Sequence, residues 1–548
     1  MPAEKREAFV TVPAGRINES VVRVRPIAAL LTVLLANLFV AIFILRQIVT
    51  HADYPFDLDE ANHANGALAL LLGFEAGGPD GLLHAFFEQG FYPPAFALFQ
   101  FLGFAVLDVS ATLARMFSLS ALFFGVLVIY AICVEVDKER GWLAGIIACG
   151  ATLTMLPLLI NSALVMKEAP GVLVSFLFLW AYIRTFRHNT PQRLALSGAL
   201  LLLVFLTKYT YGLATLATAV VVELSLLPWR RLLQHASPQR RLLQRPLWLF
   251  GPFLLGIIAW FAYPGNVAQF LAYVTAQPEG GLALSLESLL FYPRSIALAQ
   301  TPAPIFTLLT ALSLVWSLAR RRHVAVRLLL IYFLVGMAMM TLNRPQNPRF
   351  IATFVPAAHI LTGLMVARLA VQPVAPRPRL AGWAVVLAII AFSLPNVVER
   401  FRQYPATVNA AYETDPRLND LAQWIQDQVP AGRRFYLINY WDQFGPQTLA
   451  WRLGQEAISR DVESDFSGVL MPGALLDPAS TQKTQELRQE ILESGVSYVV
   501  VLEGGPWGSP FWPHYTAALE DRLAMVADHT QSIGSGGNVK VIVYEVVN

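Results

Sequence analysis

Residues 27–45, IAALLTVLLANLFVAIFIL, hold no charged side chain, and runs of this kind recur along two thirds of the chain. A helix rises about 1.5 Å per residue, so roughly twenty apolar residues match the ~30 Å hydrocarbon layer of a bilayer. Spans are predicted near 26–48, 112–134, 141–162, 170–187, 194–207, 211–228, 247–263, 302–319, 327–342, 350–370 and 380–397. The short pair 194–207 and 211–228 also reads as one bent helix. The composition agrees, with 55% hydrophobic and only 14% charged residues, against about 25% charged in soluble domains. A formal net charge of +3 gives no reason to expect a nucleic-acid partner. Cys133 and Cys149 lie in apolar runs and read as small buried hydrophobes.

The run PPAFALFQFLGFAVL (93–107) is too short for an untilted crossing and reads as an interfacial or re-entrant helix. Charge supports that choice. Left uncrossed, it puts Lys138 and Arg140, Arg230 and Arg231, and Arg320, Arg321 and Arg322 on the side of the amino terminus. Excess Lys and Arg mark the cytoplasmic side. The expected organisation is a cytoplasmic tail (1–25), a transmembrane core (26–398) and an extracytoplasmic α/β domain (399–548). The first apolar run has no small-residue cleavage site and reads as a retained anchor. In the last region DPRLNDLAQWIQDQVP has helical apolar spacing, and RRFYLIN, VSYVVVLE and VKVIVYEVV read as strands. The fold expected is therefore a polytopic α-helical membrane protein with about eleven transmembrane helices, interfacial helices in the first outer loop and a C-terminal α/β domain.

Under this topology the unusual polar residues converge on the outer side. YPFDLDEANHANGA brings Asp57, Asp59, Glu60 and His63 directly after the first span. Lys167 with Glu168, Lys208 with Tyr209, Arg294, and Arg344 with Arg349 fall at later outer turns. Charges at the hydrocarbon boundary are costly unless paired or lining a wet cavity. Plainer readings stand beside this one. Asp57 and Glu60 have the spacing of a helix cap, which accounts for those two residues as well as chemistry does. It leaves out Asp59, which shares a helix face with His63 at i and i+4. Lys167 and Glu168 also read as a solvated pair, Lys208 as a snorkelling cation, and Arg349 as a lipid-phosphate contact. His359 reads as a core residue. Trp441, Trp507 and Trp512 read as core or interface aromatics before sugar-stacking ones. No zinc-type spacing and no phosphate-cradling glycine loop is present, so no cofactor is expected.

The order of DLDEANHANGA (57–67), FYPPAFALFQFLG (91–103), DVSATLARMFSLSALFFGVLVIY (108–130), LVMKEAPGVLVSFLFLWAY (164–182), FLTKYTYGL (205–213) and NPRFIATFVPA (347–357) resembles the C-type membrane glycosyltransferases. It is most similar to the branch of protein O-mannosyltransferases and the lipid A aminoarabinose transferase, related to glycosyltransferase family 39. Many relatives carry Asp where this chain has Glu168. The resemblance implies transfer of a sugar from a polyprenyl-phosphate carrier to a lipid, glycan or protein hydroxyl, outside the cytoplasm of a bacterial-type cell, with inversion. Asp59 would then be the base, with Glu60 and His63 orienting the acceptor or tuning it. Lys208, Arg349, Arg115 and Arg294 would serve the phosphate. Tyr209 would contact substrate, and Glu168 would hold a basic residue or contact the donor sugar. A divalent cation at Glu168 is the least favoured role, because members of this branch work without metal. A transporter or flippase of lipid-linked sugar is the rival reading, but it calls for internal repeats or paired interrupted helices, and none is visible. A degenerate sugar-binding or assembly subunit is the third reading.

Overall fold

The computed structural model describes residues 19–226, 240–275, 285–342, 346–371, 376–411, 417–430, 433–438, 444–456, 462–464, 489, 491–493, 495–504, 522–533 and 537–547. Arg344, Trp441, Trp507 and Trp512 lie outside them.

The apolar runs become helices α1 (Glu19–Thr50), α4 (Ala111–Val136), α5 (Gly141–Thr152), α6 (Leu156–Ser162), α7 (Glu168–Thr185), α8 (Pro191–Thr207) and α9 (Tyr209–Leu226). Further along are α10 (Arg240–Ala262), α13 (Pro304–Ala319), α14 (Val324–Leu342), α15 (Val355–Ala370) and α16 (Pro376–Ala411). Each predicted span thus falls on a helix or helix pair. Among the described residues six helices are long and apolar enough to cross a membrane, or seven if a bent pair forms one span. Their outward faces are greasy: Leu35 and Phe39 of α1, Leu255 and Ile258 of α10, and Leu387 and Phe392 of α16 are all more than half exposed. An apolar surface this extensive needs lipid around it.

One expectation needs correction. The predicted span 141–162 is broken, because α5 and α6 meet at 71°. Backbone carbonyls freed at membrane depth must find donors. Arg400 Nη1 donates to Thr154 O at 2.9 Å, and Tyr404 OH donates to Leu159 O at 2.9 Å. Both donors come from α16, which runs to Ala411, past the expected end of the core at 398. At 194–228 the reading as two helices holds over the one-bent-helix alternative: α8 and α9 are divided at Lys208, whose backbone is extended (φ −158°, ψ 124°). Elsewhere the helices approach closely: a methyl added at Gly363 of α15 would meet the Ala144 carbonyl oxygen of α5.

The segment between α1 and α4 holds α2 (Leu58–Glu88) and α3 (Ala95–Phe104), the latter on the run read as interfacial. The loop 264–301 holds α11 (Asn266–Thr275), α12 (Leu286–Ser295) and a π turn at Ile296–Gln300. In the last region lie α17 (Arg417–Gln428), β1 (Phe435–Ile438), α18 (Pro446–Glu456), β2 (Val462–Ser464), β3 (Tyr498–Gly504), β4 (Leu523–Ile533) and β5 (Gly537–Val546). The sheet order is β2-β1-β3-β5-β4. β1 pairs parallel with β2 and β3, while β5 pairs antiparallel with β3 and β4.

This region is tied to the segment between α1 and α4. Asn65 Nδ2 donates to Gln447 O at 2.8 Å, and Asn419 Nδ2 donates to Asp53 O at 2.8 Å. Trp451 of α18 packs against Phe56 and Phe104, with ring centroids 4.9 and 6.1 Å away. Trp451→Ala should therefore loosen α18 from α2 at a cost of about 3–5 kcal/mol. Faster amide exchange in 446–456 and 57–66, with exchange in α4 and α7 unchanged, is the expected signature.

Candidate active site

The chain enters α2 through Asp57, whose extended backbone (φ −76°, ψ 176°) leaves Oδ1 to accept the Glu60 amide at 2.7 Å. That cap satisfies one of the helix's free amides. Burial, followed by the charges of Glu60 and Asp59, pushes the Asp57 carboxyl up to about 8. Glu60 does not reach back to complete a capping box. It points inward, where it is 1% exposed and holds Arg115 of α4 at 3.0 and 3.1 Å through both carboxylate oxygens. Oε1 also accepts the Val165 amide at 2.9 Å. The guanidinium spends a further N–H on His51 O and lies 5.0 Å from the Phe56 ring centroid.

Asp59 turns the other way. With His63 one helical turn on, it lines a cavity of ≈ 160 Å³ closed by Tyr92 and Pro93 before α3, by Met166, Lys167 and Glu168 at the start of α7, by Lys208 between α8 and α9, by Tyr273 of α11, and by Arg349 and Phe350 of a 3-10 turn (Pro348–Ile351). Arg349 Nη2 donates to Asp59 Oδ2 at 2.7 Å. Lys208 Nζ donates to Glu168 Oε1 at 3.3 Å, and Tyr211 OH lies 3.5 Å from the same oxygen. The carboxylates differ in access, because the Asp59 side chain is 35% exposed and that of Glu168 only 2%. Lys167 Nζ donates to Pro93 O at 3.3 Å and lies 5.0 Å from the Tyr92 ring centroid. Burial, followed by the Lys208 cation, pushes that ammonium down to about 7, against the pull of Glu168 and Asp59. His63 packs edge-on to Tyr92 at 5.1 Å. Burial, followed by the Lys167, Lys208 and Arg349 cations, holds it well below the usual histidine range and hence neutral. Among the described residues no group of three His, Cys, Asp or Glu is arranged to hold a metal ion.

Of the nine residues given a catalytic or substrate role from the sequence, Asp59, His63, Glu168, Lys208 and Arg349 meet in this cavity. Four do not. Glu60 and Arg115 neutralise each other beneath it, so Arg115 has no free face for a phosphate and Glu60 none for a proton. Tyr209 stands behind it as a post, donating to Gly90 O at 2.6 Å and accepting from Trp260 Nε1 at 3.2 Å. Arg294 is exposed on α12 and does not line the cavity. Sequence reading gave Lys167 no role, although its place beside Glu168 at an outer turn was the available signal. Tyr273 had none, being one aromatic on an ordinary amphipathic stretch.

Residues 92–255 match the family model described as dolichyl-phosphate-mannose-protein mannosyltransferase. No curated protein sequence matches the chain. Among solved structures the fold is similar to that of ArnT from Cupriavidus metallidurans bound to undecaprenyl phosphate, with a TM-score of 0.54 at 14% identity over 92% of this chain and 97% of that one. It is similar to the oligosaccharyltransferase AglB from Archaeoglobus fulgidus, in complex with an inhibitory peptide and a dolichol-phosphate, with a TM-score of 0.57 at 12% identity over 93% and 74%. It is also similar to the arabinofuranosyltransferase AftD from Mycobacteria, with a TM-score of 0.53 at 16% identity over 93% and 40%. Likeness at such identities is likeness of fold. The match over 92–255 and the likeness of fold agree with the resemblance drawn from the motifs, and the chain shares the fold of these membrane glycosyltransferases.

Proposed function

We propose that this protein moves a sugar from a polyprenyl-phosphate carrier to an acceptor hydroxyl on the extracytoplasmic side of the membrane, with inversion at the anomeric carbon. One observation carries the reading: an accessible carboxylate, Asp59, shares a cavity with the cations Lys167, Lys208 and Arg349. A hydroxyl is a poor nucleophile, and a carboxylate in hydrogen-bond reach takes its proton as it attacks. Arg349 occupies Oδ2, which leaves Oδ1 to face the acceptor. On the other side of the bond, negative charge grows on the departing phosphate, and fixed cations stabilise it without reorganising. Solved neighbours bound to undecaprenyl phosphate and to a dolichol-phosphate support the choice of donor class. The clustering of Lys and Arg on the opposite loops supports an extracytoplasmic cavity.

The test uses purified protein in liposomes given a radiolabelled polyprenyl-phosphate sugar and a mixed acceptor extract. Release of polyprenyl phosphate with label passing to the acceptor is the expected result. Sugar-lipid that crosses the bilayer chemically unchanged would make the protein a transporter and overturn the reading.

A further inference from the structure

Of Arg115, Lys167, Lys208, Arg294 and Arg349, all among the described residues, four are paired with carboxylates or lie away from the cavity. Arg115 is locked to Glu60, and Arg294 lies outside. Arg349 pairs with Asp59 at 2.7 Å, and Lys208 pairs with Glu168 at 3.3 Å. Lys167 is the remaining one. It is 4% exposed, and among the described residues no carboxylate lies within ion-pair distance of its ammonium. We propose, resting on the glycosyl-transfer reading above, that Lys167 is the anion-binding group of the cavity and receives the phosphate of the polyprenyl carrier, while Lys208 and Arg349 hold the two carboxylates in place.

A buried ammonium with only a carbonyl at 3.3 Å and an aromatic face for company costs free energy in the empty protein. An arriving phosphate removes that cost, so the site is poised for an anion. The lowered proton affinity of Lys167 agrees with this, since an anion beside it would draw the proton back. A second orphan sits in the same cavity. His63 Nδ1 is buried without a hydrogen-bond partner, on a residue only 8% exposed. A polar ligand lying between Lys167 and His63 would satisfy both.

The step then balances. The acceptor oxygen forms its bond to the anomeric carbon as the anomeric carbon–phosphate oxygen bond breaks, and the bonding pair leaves on the phosphate. The acceptor proton passes to Asp59. The carrier changes from a singly charged diester to a monoester of charge about −2, and Lys167 faces that added charge.

The experiment compares undecaprenyl phosphate with undecaprenol, its neutral parent, as ligands of the full-length protein in nanodiscs. Native mass spectrometry and the ligand-induced rise in melting temperature provide the readouts. The wild type should prefer the phosphate. Lys167→Met, which keeps the side-chain length and removes the unpaired charge, should melt no lower than wild type without ligand, and should bind the phosphate about 10–100-fold more weakly. Lys167→Arg should restore most of the preference. A Met variant that keeps the phosphate preference overturns the proposal while leaving the glycosyl-transfer reading intact. So does a Met variant that melts lower or fails to fold, because the lysine is then a structural cation. A wild type with no preference for the phosphate overturns both.

Discussion

Asp59→Asn should lower the rate of polyprenyl-phosphate release by at least about 10²-fold, the low end for loss of a positioned base. Asparagine keeps the size of the side chain and can still accept from Arg349, so the cavity should survive the change. What it cannot do is take a proton from the acceptor. The alternative base is Glu168, the other carboxylate lining the cavity. Access decides between them. The Asp59 side chain is 35% exposed, whereas that of Glu168 is 2% exposed and turned toward Lys208 and Tyr211. Glu168→Gln should therefore lower turnover less than Asp59→Asn, through loosening of Lys208. Asp59→Asn should act on kcat alone, because removing a negative charge does nothing to weaken binding of an anionic donor. Turnover by Asp59→Asn within about threefold of wild type, with Glu168→Gln inactive, would exchange the two roles.

The parts of this site that were legible in the sequence are those written in local pattern. Asp59 and His63 stand four residues apart, a spacing that any helix turns to one side. Lys208 interrupts an apolar stretch that divides there into two helices. The Asp57 cap is equally local. Choice of partner was not legible, because it depends on which helices touch. Glu60 reads as half of a capping box, yet Arg115 lies fifty-five positions away and on a neighbouring helix. Asp59, Glu60 and Glu168 could pair with Arg115, Lys167, Lys208, Arg294 and Arg349 in many ways, and only packing selects Arg349 for Asp59, Arg115 for Glu60 and Lys208 for Glu168. The prominence of Lys167 follows from that selection, since it is what the pairing leaves over. In the fold, each apolar run read as a span falls on a helix or helix pair, but the 71° break between α5 and α6 was not visible. Its freed carbonyls are answered by Arg400 and Tyr404, about 250 residues onward. No window centred on 141–162 contains them.

The second large effect is expected beneath the cavity. Glu60 and Arg115 form a doubly hydrogen-bonded pair in which neither side chain is more than 2% exposed. Removing one member strands the other's charge away from water, which costs about 3–5 kcal/mol. Glu60→Ala and Arg115→Ala should each melt far below wild type in detergent. Replacing both together, Glu60→Leu with Arg115→Met, should recover much of the loss, since a packed apolar pair often matches a buried ion pair in stability. Activity should not follow stability back. Glu60 Oε1 also accepts the Val165 amide, which fixes the segment leading to Lys167 and Glu168, and a leucine cannot accept that bond. The apolar double variant should therefore fold well and turn over poorly. Glu60→Gln separates this positioning role from a direct part in the chemistry. If Glu60 acts through Arg115 and Val165, the amide should lower melting temperature and turnover together. A Gln variant that melts like wild type but is inactive would instead put the Glu60 carboxylate in contact with the reacting atoms.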